Sequence, residues 1–541
     1  MPYIAPNAFH NSAIGFEPPK CHPGTRIAIK KDLIEWVQNI EERHPIYHLY
    51  APAGSGKTAI AKTLSDHFSD FGDLLASFFF SRTIESRNNA QCFIATIAYQ
   101  VALNLPCTRQ FVVGAFLNDP AIVHKNLRTQ MEKLILEPVS KACALPIQVE
   151  REAERLKWPR LLVIDGLDEC HGEETQIEIL SIISDLAHRR PFPLAIFISC
   201  RPEIHIRRAF QQLDLLNRLS RKISLSNEYS SKDDIRLFLE SKFAEIREAH
   251  SKNLSFPSDW PGKEILNALV RKSSGHFIYA SVVTNYVGVN DDNPIERLRV
   301  VLGLAEIAND EKPFTQLDTL YTRILESIRA RHLPIIMDAF SFSLEPVLWP
   351  EQPGRINMNG QLLLDEPDLR VGLAKLKGIL VDFSLIPFHG VHVNFLHSSF
   401  SDFLLDSDRS GTYHISVAEA HANIAVYLLN RHIMDTSGAF VSEIDISKCF
   451  PFVIVNESLS KTAIASLVTH LPFAAPKNEL HCQLQRLNHP QLVVNVIKLC
   501  NSPDEHGVFF DAGAVLQGLI GSLGKSVSTH RIKEVAKALF I

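Results

Sequence analysis

Ile46-Tyr47-His48-Leu49-Tyr50 runs without a break into Ala51-Pro52-Ala53-Gly54-Ser55-Gly56-Lys57-Thr58, and an amphipathic stretch over 59–69 follows. A short apolar strand, a glycine-rich turn and a helix in this order predict a loop whose backbone N–H groups turn inward around phosphate oxygens. The helix start adds its partial positive charge. Lys57 is expected to reach the β- and γ-phosphates of a nucleotide, and the Thr58 hydroxyl to ligate Mg²⁺. The nucleotide-binding candidates here are Gly54, Ser55, Gly56, Lys57, Thr58 and Ala59. Ala51 stands where the usual pattern opens with glycine, which a negative φ accommodates. The bland alternative is a chance Gly/Ser turn before a helix; the strand before it and the helix after it count against that.

Further along, Leu161-Leu162-Val163-Ile164-Asp165 is an apolar run ending in a carboxylate, followed by Gly166-Leu167-Asp168-Glu169. A buried strand of this kind delivers Asp165 to the carboxyl edge of a sheet, beside the phosphate loop, where it can hold Mg²⁺. Asp168 and Glu169 are candidates to orient or deprotonate an attacking water, with Glu169 the first choice. A third run, Leu194–Ser199, ends at Cys200-Arg201-Pro202, and Arg201 could sense a γ-phosphate. A surface arginine ahead of a proline-started helix is the competing reading.

Between these points the chain alternates short apolar runs with helical patterns. The runs are Ile46–Tyr50, Leu75–Phe80, Leu161–Ile164, Leu194–Ser199 and Ile223–Leu225; the helical patterns lie near 59–69, 89–104, 127–143 and 174–188. That alternation predicts an α/β domain with a parallel sheet over 26–226, after an irregular leader over 1–25. Beyond it, Asp233–Ile246 and Glu264–Val270 predict a helical domain over 227–312. Leu317–Ile328, a helix over Leu373–Leu380, strands on both sides of His389-Gly390 and a helix from about Ser399 outline a winged helix over 313–412. Residues 413–541 are helical by pattern and carry no repeat period.

Composition narrows the setting. The 541 residues are 46% hydrophobic and 21% charged with a formal net charge of -5, as in a folded protein of several domains. Nine scattered cysteines without a Cys-x-x-Cys pair predict reduced thiols and a cytoplasmic location. Met1–His10 lacks the pattern of a signal peptide, and no stretch approaches ~18 uninterrupted apolar residues, so no membrane association is expected. The short basic clusters Arg207-Arg208 and Arg329-Ala330-Arg331-His332 suit solvated helix faces, and 399–405 carries no base, which argues against a nucleic-acid partner. His389, His392 and His397 read as a histidine-rich hairpin in preference to a metal site.

Taken together, Gly54-Ser55-Gly56-Lys57-Thr58, Asp165-Gly166-Leu167-Asp168-Glu169 and Ser199-Cys200-Arg201-Pro202 resemble the NACHT domain of signal-transduction NTPases. More narrowly, they look like the fungal group whose NACHT region is nephrocystin-like at its N-terminus. Pro19-Lys20-Cys21-His22-Pro23-Gly24-Thr25-Arg26 resembles the segment ahead of the phosphate loop in that group, which implies Gly24 and Arg26 near adenine or ribose. A plain turn into the first helix accounts for them equally well. Gly275-His276-Phe277-Ile278-Tyr279-Ala280 sits where relatives carry Gly-x-Pro, with Phe277 replacing the proline that packs on adenine. Leu396-His397-Ser398 resembles a Met-His-Asp motif, which implies that His397 contacts an ADP β-phosphate as an inter-domain latch. A half-buried histidine before a helix is the alternative. The resemblance, spanning about 15–430, implies a slow, regulatory ATP hydrolase that binds ATP or ADP with Mg²⁺ and self-associates by nucleotide state. Ala51, Phe277 and Ser398, each a departure from the family pattern, keep a non-hydrolysing scaffold open. An ordinary metabolic ATPase is the third reading, and no acceptor pocket is evident for it.

Overall fold

The computed structural model describes residues 3–12, 19–39, 44–145, 158–189, 192–252, 254–289, 293–303, 314–344, 376, 380–386, 390–395 and 397–428. They fall into two compact units. One is built on the residues up to Tyr321 and takes in 380–381 and 397–399; the other holds the remaining described residues from Thr322 onward. Of the expected helix over Leu373–Leu380 only Leu376 and Leu380 are described, and His389 and the tail from 429 lie outside the described residues.

In the first unit, β1 (Ile46–Tyr50), β2 (Leu74–Phe79), β3 (Leu161–Asp165), β4 (Ala195–Cys200) and β5 (Ser220–Ser224) form a five-stranded sheet. Its order is β2-β3-β4-β1-β5, and every pairing is parallel. The strands sort their side chains by alternation. Leu162, Ile164, Ile196 and Ile198 join one buried cluster with Phe93, Ile97 and Leu180. Tyr47, Leu49, Leu161, Val163, Ala195 and Phe197 join the other with Trp36, Ile60 and Leu64. Helices α1 (Ile27–Gln38) and α2 (Lys57–Asp70) supply the second cluster, while α3 (Phe93–Asn104) and Glu173–Arg189 supply the first. A sheet covered on both faces explains the near-continuous apolar runs. Because β4 lies between β1 and β3, the loop after β1 and the acidic end of β3 open at the same carboxyl edge.

Three details depart from the sequence reading. β5 begins three residues earlier than the apolar run suggested, because Arg221 and Lys222 sit on an edge strand where charge is tolerated. Leu380 opens a strand, Leu380–Ile386, and does not close a helix. The described part of the leader is packed against the sheet: Ala5 and Ala8 are fully buried, and Phe9 stacks on Tyr99 at 6.1 Å. Here the Ala5 N–H donates to Thr96 Oγ1 and the His10 N–H to Ser77 Oγ, both at 3.0 Å. Ser77 belongs to the edge strand β2, and its own backbone N–H and carbonyl are bonded by the Gln100 side chain at 3.0 and 2.9 Å.

Helices Lys232–His250, Lys263–Ser273, Phe277–Val287 and Pro294–Gly303 complete the first unit around Leu239, Phe243, Leu269 and Val283. In the second unit, rings of Phe340, Phe395 and Phe400 meet pairwise at 5.5 to 5.6 Å between helix Leu333–Ser343, strand Gly390–Phe395 and helix Ser398–Leu405. Leu380–Ile386 and Gly390–Phe395 pair as a two-stranded sheet. No helix among the described residues is long and apolar enough to cross a membrane.

His48, in the middle of β1, gives the sheet a pH dependence. Its ring stacks on Phe210 at 3.7 Å, Nε2 lies 3.1 Å from Cys200 Sγ, and Nδ1 has no hydrogen-bond partner. Burial pushes its pKa down to about 3, so the folded protein holds it neutral. The unfolded imidazole takes up a proton below its ordinary value of 6.5. Stability is therefore lost as the pH falls below that value and is flat above it. Between pH 7.5 and 5.5 the loss from this group is about 1.4 kcal/mol. Urea unfolding at both pH values should show that loss in the parent and not in His48→Leu; equal acid sensitivity in the two proteins would refute it.

Candidate functional site

The turn after β1 reaches α2 through two left-handed glycines, Gly54 (φ +73°) and Gly56 (φ +93°). At the first of them a side chain is excluded outright, because a Cβ would lie 2.1 Å from Ile278 Cγ2. Ile278 comes from the start of helix Phe277–Val287, and its N–H donates to the Gly54 carbonyl at 3.1 Å. Two residues before Ile278, His276 Nδ1 donates to the Ala53 carbonyl at 3.1 Å. Lys57 Nζ donates to the carbonyls of Ala51 and Pro52 at 2.8 and 3.1 Å. Burial lowers the pKa of this ammonium, and Asp168 opposes the shift. Ala59 lies in the first turn of α2.

Asp165 ends β3, fully sheltered, and accepts hydrogen bonds from the Ser199 and Thr58 hydroxyls. Burial pushes its pKa up to about 6, against the pull of those two hydroxyls and Lys57. The two expected metal-holding residues, Thr58 and Asp165, are thus brought into direct contact. Gly166 (φ +69°) then turns the chain into a short helical turn, Leu167–Glu169. Asp168 accepts the Arg201 N–H at 2.8 Å and lies 3.1 Å from Arg201 Nε. Glu169 Oε2 accepts the Arg82 N–H at 3.1 Å, and Oε1 accepts the Ser398 hydroxyl at 3.2 Å. Arg201 Nη2 donates to the same Ser398 oxygen at 2.9 Å.

Arg26 approaches the phosphate loop from the other side. It has a left-handed backbone (φ +55°), its side chain is 4% exposed, and Nη2 donates to the Ser55 carbonyl at 2.8 Å. Its N–H donates to Asp234 Oδ2 at 3.1 Å, and its guanidinium lies 5.0 Å from the centre of the Phe277 ring. Nε and Nη1 are buried without a hydrogen-bond partner, although Nε lies 4.0 Å from Asp234 Oδ2. A buried guanidinium with unused donors needs acceptors, and a nucleotide beside this loop would supply them. The left-handed glycines, the helix start and the Thr58–Asp165 pair likewise fit phosphates with Mg²⁺, an ion that keeps few protein ligands and takes the rest from phosphate and water.

His397 stands at the start of helix Ser398–Leu405, where Nδ1 accepts the Ser399 N–H at 3.0 Å. The loop, Asp165, Asp168, Glu169, Arg201, Arg26 and Phe277 surround one sheet edge. Ser199, Arg82, Arg87, Asp234 and Ser398 also belong to this neighbourhood, although the sequence reading gave none of them a role. Ser199 stood in the quoted Ser199-Cys200-Arg201-Pro202 stretch, but its place beside Asp165 comes from the register, in which Ile198 pairs with Ile164.

Residues 24–201 match the family model described as Nephrocystin 3, N-terminal. The matched stretch begins two residues before Arg26 and ends on Arg201, so it takes in the phosphate loop and the acidic strand end. Asp234, Phe277 and Ser398 lie beyond it. Comparison with curated proteins returns no significant match. Among solved structures, one of Drosophila ORC bound to AT-rich DNA and Cdc6 overlaps with a TM-score of 0.25 at 10% identity, covering 93% of this chain and 70% of that one. Another, of Drosophila ORC bound to poly(dA/dT) DNA and Cdc6, gives 0.22 at 12% identity, with 94% and 76% covered. Overlaps this loose leave function to be read from the chain's own residues.

Proposed function

We propose that this chain is a nucleotide-dependent regulatory switch of the NACHT kind, which binds ATP or ADP with Mg²⁺, hydrolyses ATP slowly and couples nucleotide state to domain opening and self-association. The observation that carries this reading is the meeting of the loop after β1 with the ends of β3 and β4 at one sheet edge, with Lys57, Thr58, Asp165, Asp168, Glu169 and Arg201 drawn together there. Lys57 would bind the phosphates, exchanging two loop carbonyls for phosphate oxygens. Thr58 and Asp165 would hold Mg²⁺, which when bound neutralises charge between the β- and γ-phosphates. Arg26 and Phe277 would bind the base or ribose, with the two unused guanidinium nitrogens as donors.

Glu169 is the general base of this proposal, and both its oxygens already accept hydrogen bonds. A carboxylate so engaged accepts a proton poorly until Ser398 withdraws, which supports slow turnover linked to movement of the segment that carries His397 and Ser398. In this scheme 227–312 acts as the helical domain, 313–412 as a winged helix bearing the His397 latch, and 413–541 as a helical C-terminal region. The same Ser398 contact favours one second reading, a nucleotide-bound scaffold in which Glu169 is never released.

Nucleotide carried through purification, identified by chromatography after denaturation, tests the proposal. Near-stoichiometric ADP or ATP is expected, with turnover of added ATP·Mg²⁺ reduced about 100-fold or more in Glu169→Gln. A protein that carries none and fails to bind added ATP·Mg²⁺ would end the switch reading. Bound nucleotide with identical turnover in parent and Glu169→Gln would leave the scaffold.

A further inference from the structure

Three carboxylates emerge within five residues at the end of β3, and the cations met so far serve only part of them. Lys57 acts on Asp168 and on Asp165, and Arg201 pairs with Asp168. On the Glu169 side stands the segment that follows β2. The Phe80 N–H donates to the Asp165 carbonyl at 2.9 Å, the Arg82 N–H to Glu169 Oε2 at 3.1 Å, and the His171 N–H to the Asn88 carbonyl at 2.6 Å. Residues 80–88 are therefore sewn to 165–171 at both ends. The segment also closes on itself, with the Ser81 N–H donating to the Arg87 carbonyl at 3.1 Å and the Arg87 N–H to that of Ile84 at 2.9 Å.

Arg87 is the buried cation of this segment, 6% exposed. Its Nε donates at 2.6 Å to the carbonyl of Phe79, the residue paired with Asp165 in the β2–β3 register. The guanidinium is thereby fixed behind the acidic strand end. Burial pushes its pKa down to about 10, opposed by the charges of Glu169 and Asp165, so it stays protonated at neutral pH. A buried arginine is costly to keep without opposite charge in range, and the charges that favour this one are those of Glu169 and Asp165.

We infer that Arg87 is a positioning residue for Glu169: a buried cation that balances the Glu169 and Asp165 charges from behind and, through the closed turn ending in the Arg82 N–H, fixes the direction of the Glu169 carboxylate. Its effect on turnover rests on the hydrolysis reading above; its electrostatic coupling to Glu169 does not. The test combines Arg87→Met and Arg87→Lys with Glu169→Gln and measures ATP turnover, KM and thermal unfolding without nucleotide. Arg87→Met should lower kcat about tenfold or more with KM within about threefold, and Arg87→Lys, which keeps the charge, should recover most of the loss. In the Glu169→Gln background Arg87→Met should add nothing to the loss of kcat. In unfolding, the double variant should melt about 3 °C or more above the sum of the two single shifts, because removing Glu169 relieves the charge that Arg87→Met leaves unpaired. Should Arg87→Met fail to fold, the same cycle is run with Arg87→Gln, which removes the charge but keeps a hydrogen-bonding side chain, against Glu169→Gln. Independent, additive effects in turnover and in unfolding would assign Arg87 to strand capping alone and overturn the inference. A parent without turnover would remove the hydrolysis reading, and the unfolding cycle would then decide Arg87 by itself, additivity again overturning it.

Discussion

Lys57→Ala should weaken the binding of ATP and of ADP by about 100- to 1,000-fold, the loss of roughly 3–4 kcal/mol expected when two charge-assisted contacts to phosphate disappear. The side chain is already aimed at the mouth of the loop, donating to the Ala51 and Pro52 carbonyls. Binding phosphate exchanges neutral acceptors for charged ones, so the gain is specific to an anionic ligand. The same substitution deprives Asp168 of one of its two cations, but Arg201 remains 3.1 Å away. Folding should therefore suffer much less than binding. Titration with a fluorescent ADP analogue, beside a melting curve without nucleotide, separates the two effects. An affinity within about threefold of the parent would remove Lys57 from the phosphate site and with it the central claim about this loop.

Gly54→Ala is the second large effect, and it tests the contact between the loop and helix Phe277–Val287. An alanine at φ +73° costs about 1–2 kcal/mol from backbone sterics alone. The added Cβ would also meet Ile278 Cγ2 at 2.1 Å and Ile278 Cβ at 2.8 Å. These atoms stand close to the backbone of a helix whose first turn is bonded to the loop, so no rotation of a side-chain tip relieves the overlap. Either the loop or the helix must shift, and the Ile278 N–H to Gly54 bond goes with it. A total loss of about 3 kcal/mol in stability is expected, with nucleotide binding impaired as well. Adding Ile278→Ala removes the shorter overlap and should restore part of the loss, since the backbone strain and the Cβ contact remain. If Gly54→Ala melted and bound nucleotide like the parent, the close approach of Ile278 to the loop would not exist in solution.

The parts of the fold legible in the sequence are those written in consecutive residues. Ile46–Thr58 carries strand, turn and helix start in thirteen positions, and Leu161–Asp165 announces both a buried strand and its acidic end. What stayed hidden depends on distant partners. Arg26 meets Asp234 across 208 positions, and Arg82 meets Glu169 across 87. No period or motif encodes such a pairing; only the order of strands in the sheet brings it about. β5 was read short because edge position, which tolerates Arg221 and Lys222, is a property of the sheet and not of the segment. The leader was read as irregular because its buried apolar residues are small alanines, and the Ala5 and His10 N–H bonds that tie it to Thr96 and Ser77 leave no apolar run to notice. Ser398 was seen only as a replacement for aspartate, while its hydroxyl bridges Glu169 and Arg201.

The way the sheet ends on each side bears on how copies of this protein could assemble. At the β2 edge, Ser77 offers neither its N–H nor its carbonyl to an incoming strand, since Gln100 holds both and His10 holds its hydroxyl. At the β5 edge, Arg221 and Lys222 would bring like charges together if two such edges were placed side by side. Growth by adding ribbon to ribbon is closed at the first margin and repelled at the second. The nucleotide-driven oligomer proposed above would then be joined through helices and loops, surfaces that the proposed change of domain arrangement would present or withdraw without unpicking the sheet.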